Sequence, residues 1–207
     1  MNRRDLLKQV AIVTGSAVIG GELFLTGCKT ESRSTPDFTP SDIVLLDEVG
    51  ETIIPETTTP GAKAVQIGEF MKMMVTDCYT EAEQLAFMEG IGELDSACNS
   101  MHGKSFMQCN TNQRKDLLIS LEEEARSTNK MRRVINKAAD LLKGDEKRNP
   151  MESHGLPRHY YTMMKQLTLL GFFTSETGMT ETLRHVPVPG KYDGDLPYIK
   201  GEKAWAE

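Results

Sequence analysis

Cysteine and histidine are the residues of this chain best suited to chemistry. Each occurs four times, and spacing limits what they can do. Metal ligands on one helix need a separation of three or four residues to share a face. His154 and His159 are five apart with Pro157 between them, and His102 and His185 stand alone. The expectation is histidines at loop edges and helix starts, with no metal site. Glu122, Glu123 and Glu124 form a carboxylate run. Paired carboxylates work as acid and base only where their surroundings push their pKa values apart. Beside Leu121 and Arg126 the run reads as a solvated helix face. The chain has no C-x-x-C, no C-x-x-C-H, no G-x-G-x-x-G, no phosphate-binding G-x-x-x-x-G-K-[ST], no G-x-S-x-G and no H-E-x-x-H. No catalytic residue and no cofactor is expected in this chain.

The stretch that must place such a chain is its start, Met1 to Cys28. Arg3 and Arg4 are followed by Leu6, Leu7 and Lys8, then an apolar run from Val10 to Leu25, then Thr26-Gly27-Cys28. A basic start, a short apolar middle and a small-residue exit make an export signal. The run is only about 16 residues long and contains two glycines and Glu22. It falls short of the ~20 residues an uncleaved membrane anchor needs. Arg3-Arg4 resembles the twin-arginine signal for folded proteins, although arginine pairs also occur in ordinary signals. Leu-Thr-Gly-Cys28 resembles a lipobox, in which the cysteine is acylated and begins the mature chain. The expected organisation is a signal over 1–27, a flexible tether over 28–39 and a helical domain over 40–207. The expected location is the periplasmic side of a bacterial envelope, held to the membrane by lipid.

Removing the signal leaves about 180 residues, enough for one domain with a real core. The whole chain carries −6, and the signal holds a net +1, so the remainder is near −7. A chain with no basic stripe does not neutralise phosphates, which argues against nucleic acid as a partner. With Cys28 lipidated, Cys78, Cys98 and Cys109 remain. Three cysteines in an exported chain mean one pair plus a free thiol, three free thiols, or a bridge to another chain. Cys98 and Cys109 flank ten residues, and a disulfide there would stabilise by roughly 2–3 kcal/mol on chain entropy. The competing reading has Cys98 filling a core helix position. Cys78 reads as a small buried hydrophobe at a helix end, or as a bridge to a partner.

Helical periodicity dominates the chain beyond the tether. Thr39-Pro40-Ser41-Asp42 is a helix start, and Ile43, Leu46, Val49 and Ile53 share a face before Pro55 stops it. Ala62 to Cys78 carries a broad apolar face through Ile67, Phe70, Met71, Met74 and Val75. Thr80 to Glu83 is a capping box that opens a helix to about Asn99. A loop comes next, with a short extended piece at 105–108. The next helix runs from Asn110 or Thr111 to about Ser127, and another from Asn129 to Leu142. The most apolar helix begins at Pro157 and closes at Gly171-Phe172-Phe173, and a short helix spans Thr174 to His185. The tail from Val186 is irregular, with Tyr192, Tyr198 and Trp205 as candidate anchors. About six helices and no alternating strands predict an all-α single domain. Twelve methionines supply flexible gap-fillers, which suits helices that pack against a partner.

Two blocks resemble a known family. Thr52-Ile53-Ile54-Pro55 through Pro60-Gly61-Ala62 is similar to the "I-I-P-x-T-x-T-P-G-A" signature of the gluconate 2-dehydrogenase subunit 3 family. Tyr160 to Gly178, with Lys165, Leu167, Thr168, Gly171, Phe172, Phe173, Thr174, Ser175 and Glu176, resembles its "F-F-x-x-L-K-x-L-T-L-x-G-F-F-T-S-E-x-G". Val188-Pro189-Gly190 and Lys203-Ala204-Trp205-Ala206 continue the likeness, which covers essentially the whole mature chain. The resemblance implies a small accessory subunit without a cofactor of its own. Its partner would be a large FAD-carrying dehydrogenase subunit of glucose-methanol-choline type, often completed by a cytochrome c. It also implies that the small subunit supplies the export signal for a partner that folds around FAD in the cytoplasm. Thr58 replaces an aspartate often found in the first block. Thr174 to Gly178 replaces a Pro- and Gly-containing segment of some branches, so gluconate itself is not carried over as substrate. The alternative expectation is a free-standing envelope lipoprotein that binds a sugar or another protein.

Overall fold

Thr39 opens the first helix by a reciprocal cap. Its hydroxyl accepts from the Asp42 amide, and the Asp42 carboxylate accepts from the Thr39 amide at 2.8 Å. With Pro40 at the first helical position, α1 runs Pro40–Ile53. The computed structural model describes residues 36–143 and 155–206, apart from 187, 189 and 191–193. Arg3, Arg4, Cys28, His154 and Tyr192 lie outside the described residues.

After a turn comes a short 3₁₀ segment, Ala62–Val65, and then α2, Ile67–Cys78. The sequence pattern predicts one helix here. Gln66 breaks it by adopting the left-handed conformation, φ 53°. The break lets Asp47 on α1 accept the Gly68 amide at 2.8 Å. Thr80 and Glu83 form the expected box and start α3, Glu81–His102, which ends on Gly103 at φ 66°. The Gln84 side chain reaches back to the orphan carbonyls of Val75, Thr76 and Tyr79 at 3.0–3.2 Å, which closes the end of α2.

The predicted extended piece at 105–108 is a 3₁₀ turn, Phe106–Gln108. The two helices predicted over 110–142 are a single helix, α4, Thr111–Lys143. Ser127 and Asn129 look like helix ends in sequence, yet neither Gly nor Pro lies between them. The Ser127 hydroxyl donates to the Glu124 carbonyl of the same helix at 2.8 Å. Asn129 turns sideways: its amide donates to Thr162 Oγ1 at 2.7 Å, and its oxygen accepts the His159 amide at 2.9 Å. A residue suited to capping serves as a clamp between helices instead.

The most apolar helix, α5, runs Tyr160–Thr174, starting three residues later than Pro157. It is the hub of the fold and packs against α1, α2, α3 and α4. Its buried residues are Tyr160, Tyr161, Met163, Met164, Leu167, Thr168, Gly171 and Phe172. Phe87 and Leu94 of α3, Ile67 and Met71 of α2, and Leu46 and Val49 of α1 join them in one core. α4 contributes Leu117, Leu118, Leu121 and Ala125. Beyond Ala125 no described side chain of α4 is buried, and Met131 and Val134 are exposed.

The short helix predicted over Thr174–His185 is a π-helical turn, Gly178–Thr182, followed by β1, Arg184–His185. β1 pairs in parallel with β2, Trp205–Ala206. The tail predicted as irregular is thus tied back at its end. Arg184 lies 4.7 Å over the Trp205 ring and 3.4 Å from the Glu202 carboxylate. Tyr198, a candidate anchor, is exposed. The described chain is an all-α single domain with this minimal strand pair.

Candidate functional site

The two sequence blocks meet in the core. The first forms the turn after α1. A residue just before the block holds both of its ends: Glu51 accepts from the Glu56 amide at 2.7 Å and, just past the block, from the Lys63 amide at 2.9 Å. A side chain at Gly61 would push that carboxylate off the two amides it holds. The Ala62 amide then bonds the Ile54 carbonyl at 2.9 Å, and Ala62 is fully buried. Glu48, one turn earlier on α1, pairs with Lys63 and with Arg114 of α4. Burial pushes its carboxyl up, but Lys63 and Arg114 outweigh that and hold it below the usual carboxylate range.

The second block is α5 itself. Gly171 faces Ile67 and Phe70 of α2, which come directly after the first block. At the end of α5 the Ser175 hydroxyl donates to the Phe172 carbonyl and accepts the Gly178 amide at 3.0 Å. A side chain at Gly178 would strike the Phe172 carbonyl, so glycine is required there. Much of the block's composition is therefore explained by packing.

One stripe of α5 is not explained that way. Gln166, Leu169, Leu170 and Phe173 are exposed and fall at i, i+3, i+4 and i+7, a single helical face. Leu169 is 39% exposed, Leu170 46% and Phe173 39%, on a helix whose other face is the centre of the core. Three adjacent apolar side chains left in water form a surface suited to covering by a partner.

The residues singled out in sequence are scattered. His102 lies near the end of α3, its ring 3.1 Å from the Gln113 carbonyl, and His185 is exposed on β1. Glu122 pairs with Lys165 of α5 at 2.8 Å, while Glu123 and Glu124 face solvent. Cys78 is exposed, which corrects its reading as a buried hydrophobe. Cys98 and Cys109 are buried and adjacent. Among the described residues no three His, Cys, Asp or Glu side chains converge as a metal site, and no helix is long and apolar enough to cross a membrane.

His159 is the histidine that sequence undervalued. It is buried and caps α5, its Nδ1 accepting from the Tyr161 amide at 3.2 Å, with its ring stacked on Tyr160 at 4.4 Å. Burial lowers its pKa. The Glu124 carboxylate, 3.7 Å from Nε2, and Glu93 oppose that shift, whereas Arg132 adds to it. The folded state therefore favours the neutral ring, whose lone pair the cap needs. Stability from this group is present above the ordinary histidine pKa and falls as pH drops below it. Urea melts from pH 7.5 to 5.0 should show stability falling for the native chain. His159→Asn keeps a capping oxygen and should flatten that fall.

Between α4 and the segment before α5 lies an open cleft of about 550 Å³. Arg132, Arg133, Lys137 and Arg158 line it with Asn129, Asn136 and Gln166. Several of these groups are already engaged. Arg132 donates to the Pro157 carbonyl, Arg158 to Gln166, and Asn136 bonds the Leu156 backbone.

A family model for gluconate 2-dehydrogenase subunit 3 matches residues 40–190, from the first residue of α1 to the segment after β1. No curated protein and no solved structure matches the chain. With both signature blocks at its core and nearly three quarters of its length matched, the chain belongs to the gluconate 2-dehydrogenase subunit 3 family.

Proposed function

We propose that this protein is the non-catalytic small subunit of an FAD-dependent sugar dehydrogenase, and that it escorts the folded flavoprotein subunit through twin-arginine export. Arg3 and Arg4 serve as the export signal for both chains, and Cys28, acylated, holds the pair at the periplasmic face of the membrane. Catalysis and FAD belong to the large glucose-methanol-choline subunit, and a cytochrome c takes the electrons onward. Family membership supports the subunit role. The observation that carries the docking is the exposed Leu169, Leu170 and Phe173 stripe on the hub helix. A folded-export signal is hard to explain on a small helical chain with no cofactor motif, and makes sense if the cargo is a complex.

Arg3→Lys with Arg4→Lys is the test. Co-expressed with the variant, the flavoprotein should remain in the cytoplasm, with the periplasmic fraction reduced at least tenfold. Flavoprotein exported normally without this chain would rule out the escort role. Should the two chains also fail to co-purify, the protein is better read as a free-standing envelope lipoprotein. The amide- and guanidinium-lined cleft beside α4 would then be its ligand site.

A further inference from the structure

Two sulfurs meet at the turn that joins α3 to α4. Cys98, on the last part of α3, is fully buried. Cys109, just after the Phe106–Gln108 turn, is 5% exposed, and the two Sγ atoms are 3.3 Å apart. Their neighbours hold them there. Asp95, one turn before Cys98, accepts the Phe106 amide at 2.8 Å. Arg114 donates Nε to the Phe106 carbonyl at 3.0 Å and Nη2 to the Met107 carbonyl at 3.1 Å, while Nη1 pairs with Glu48 of α1. Its guanidinium also lies 5.2 Å over the Phe106 ring. The turn is thus fastened from α3, α4 and α1 at once. Bonding needs the sulfurs to close from 3.3 Å to about 2.05 Å, a movement of about 1.3 Å. Burial first, and the contact with Cys109 second, push the Cys98 thiol up to about 12. Cys98 therefore keeps its proton and reacts slowly unless the turn opens.

We propose that Cys98 and Cys109 are a modification site, closing to an intramolecular disulfide when the chain meets a disulfide oxidant and locking the α3–α4 turn. Cys109, which carries the pair's exposure, loses its proton and attacks one sulfur of the oxidant, expelling the other as a thiolate. Cys98 then loses its proton and attacks the Cys109 sulfur, expelling the second. The two thiols give up two protons and two electrons, and the oxidant's disulfide becomes two thiols. Closure removes loop entropy from the unfolded chain. The chemistry is independent of export; only the place where the oxidant is met depends on it.

Full-length protein purified under reductant, then treated with glutathione disulfide, is blocked, digested and mapped by mass spectrometry. The expected product is a Cys98–Cys109-linked peptide, with Cys78 outside the bridge as the exposed control. Oxidation should raise Tm by about 5–10 °C in the native chain and leave Cys109→Ser unchanged. A pair still alkylatable after oxidation, or a bridge from Cys78 to either sulfur, overturns the proposal. The same mapping on protein recovered from cells should find the bridge in exported chain and free thiols in the retained Arg3→Lys, Arg4→Lys variant. Exported chain with open thiols also overturns it. A chain that is never exported, yet bridges with glutathione disulfide, defeats the export reading and leaves the bridge standing.

Discussion

Leu170→Lys combined with Phe173→Lys should abolish capture of the flavoprotein subunit while the small subunit stays folded. Each native side chain stands half out of water at the end of α5. Covering two such groups at the centre of an interface contributes about 2–4 kcal/mol together, which is a loss of ~30–1000-fold in affinity on removal. Lysine suits the last turn of a helix, where the cation meets the negative end of the macrodipole, so the change should not melt α5. Pull-down of the co-expressed flavoprotein reads the loss, and the Tm of the isolated small subunit should move by no more than a few degrees. Met131→Lys, at a side chain that is still more exposed but lies on α4, is the control and should leave capture intact. If the double variant captures the flavoprotein as well as the native chain does, docking lies elsewhere.

Gly90→Ala should be strongly destabilising, although it adds only one methyl to the α3–α5 contact. Gly90 is buried where α3 crosses α5, and an added Cβ would sit 2.2 Å from Tyr160 Cβ and 2.3 Å from Cγ. Those atoms are the root of a buried side chain at the start of the hub helix. They can retreat only if α5 moves. Overpacking of this kind costs about 3 kcal/mol where backbone must shift, and the helix-propensity gain returns about 1, which leaves a Tm fall of roughly 4–8 °C. Gly92, two residues on, has nothing within 4 Å of its would-be Cβ. Gly92→Ala should therefore stabilise by about 0.5–1 kcal/mol. Thermal melts of the two variants side by side separate the packing cost from the propensity gain. Equal effects would mean that α3 and α5 do not touch closely at Gly90.

Local chemistry made much of this fold legible. Thr39-Pro40-Ser41-Asp42 and Thr80-Glu81-Ala82-Glu83 start helices because each satisfies its own orphan amides, whatever the rest of the chain does. The mostly apolar composition of Tyr160–Thr174 marks a buried helix, because a helix apolar on most faces must be covered on most faces. The elements that depart from their sequence pattern are those whose hydrogen bonds are made over distance. Asn129 reads as a helix cap until α5 lies beside it to take both ends of its amide. Residues 105–108 carry only a weak local cap, the Gln108 side chain accepting the Ser105 amide at 3.4 Å, and Asp95 and Arg114 fasten the turn from outside.

The candidate surface divides the same way. The all-α class, the helix starts at Thr39 and Thr80 and the two blocks that carry the family likeness are legible in the chain alone, because each depends on neighbours within a few residues. Spacing alone could not say whether Leu169, Leu170 and Phe173 were core, since α5 is apolar nearly all round. Four helices cover that helix and leave one stripe open, and their packing selects which. Nor could the ten residues between Cys98 and Cys109 tell a bridge from a core cysteine. Tertiary contacts from three helices put the two sulfurs 3.3 Å apart, and such contacts are set by packing rather than by separation along the chain.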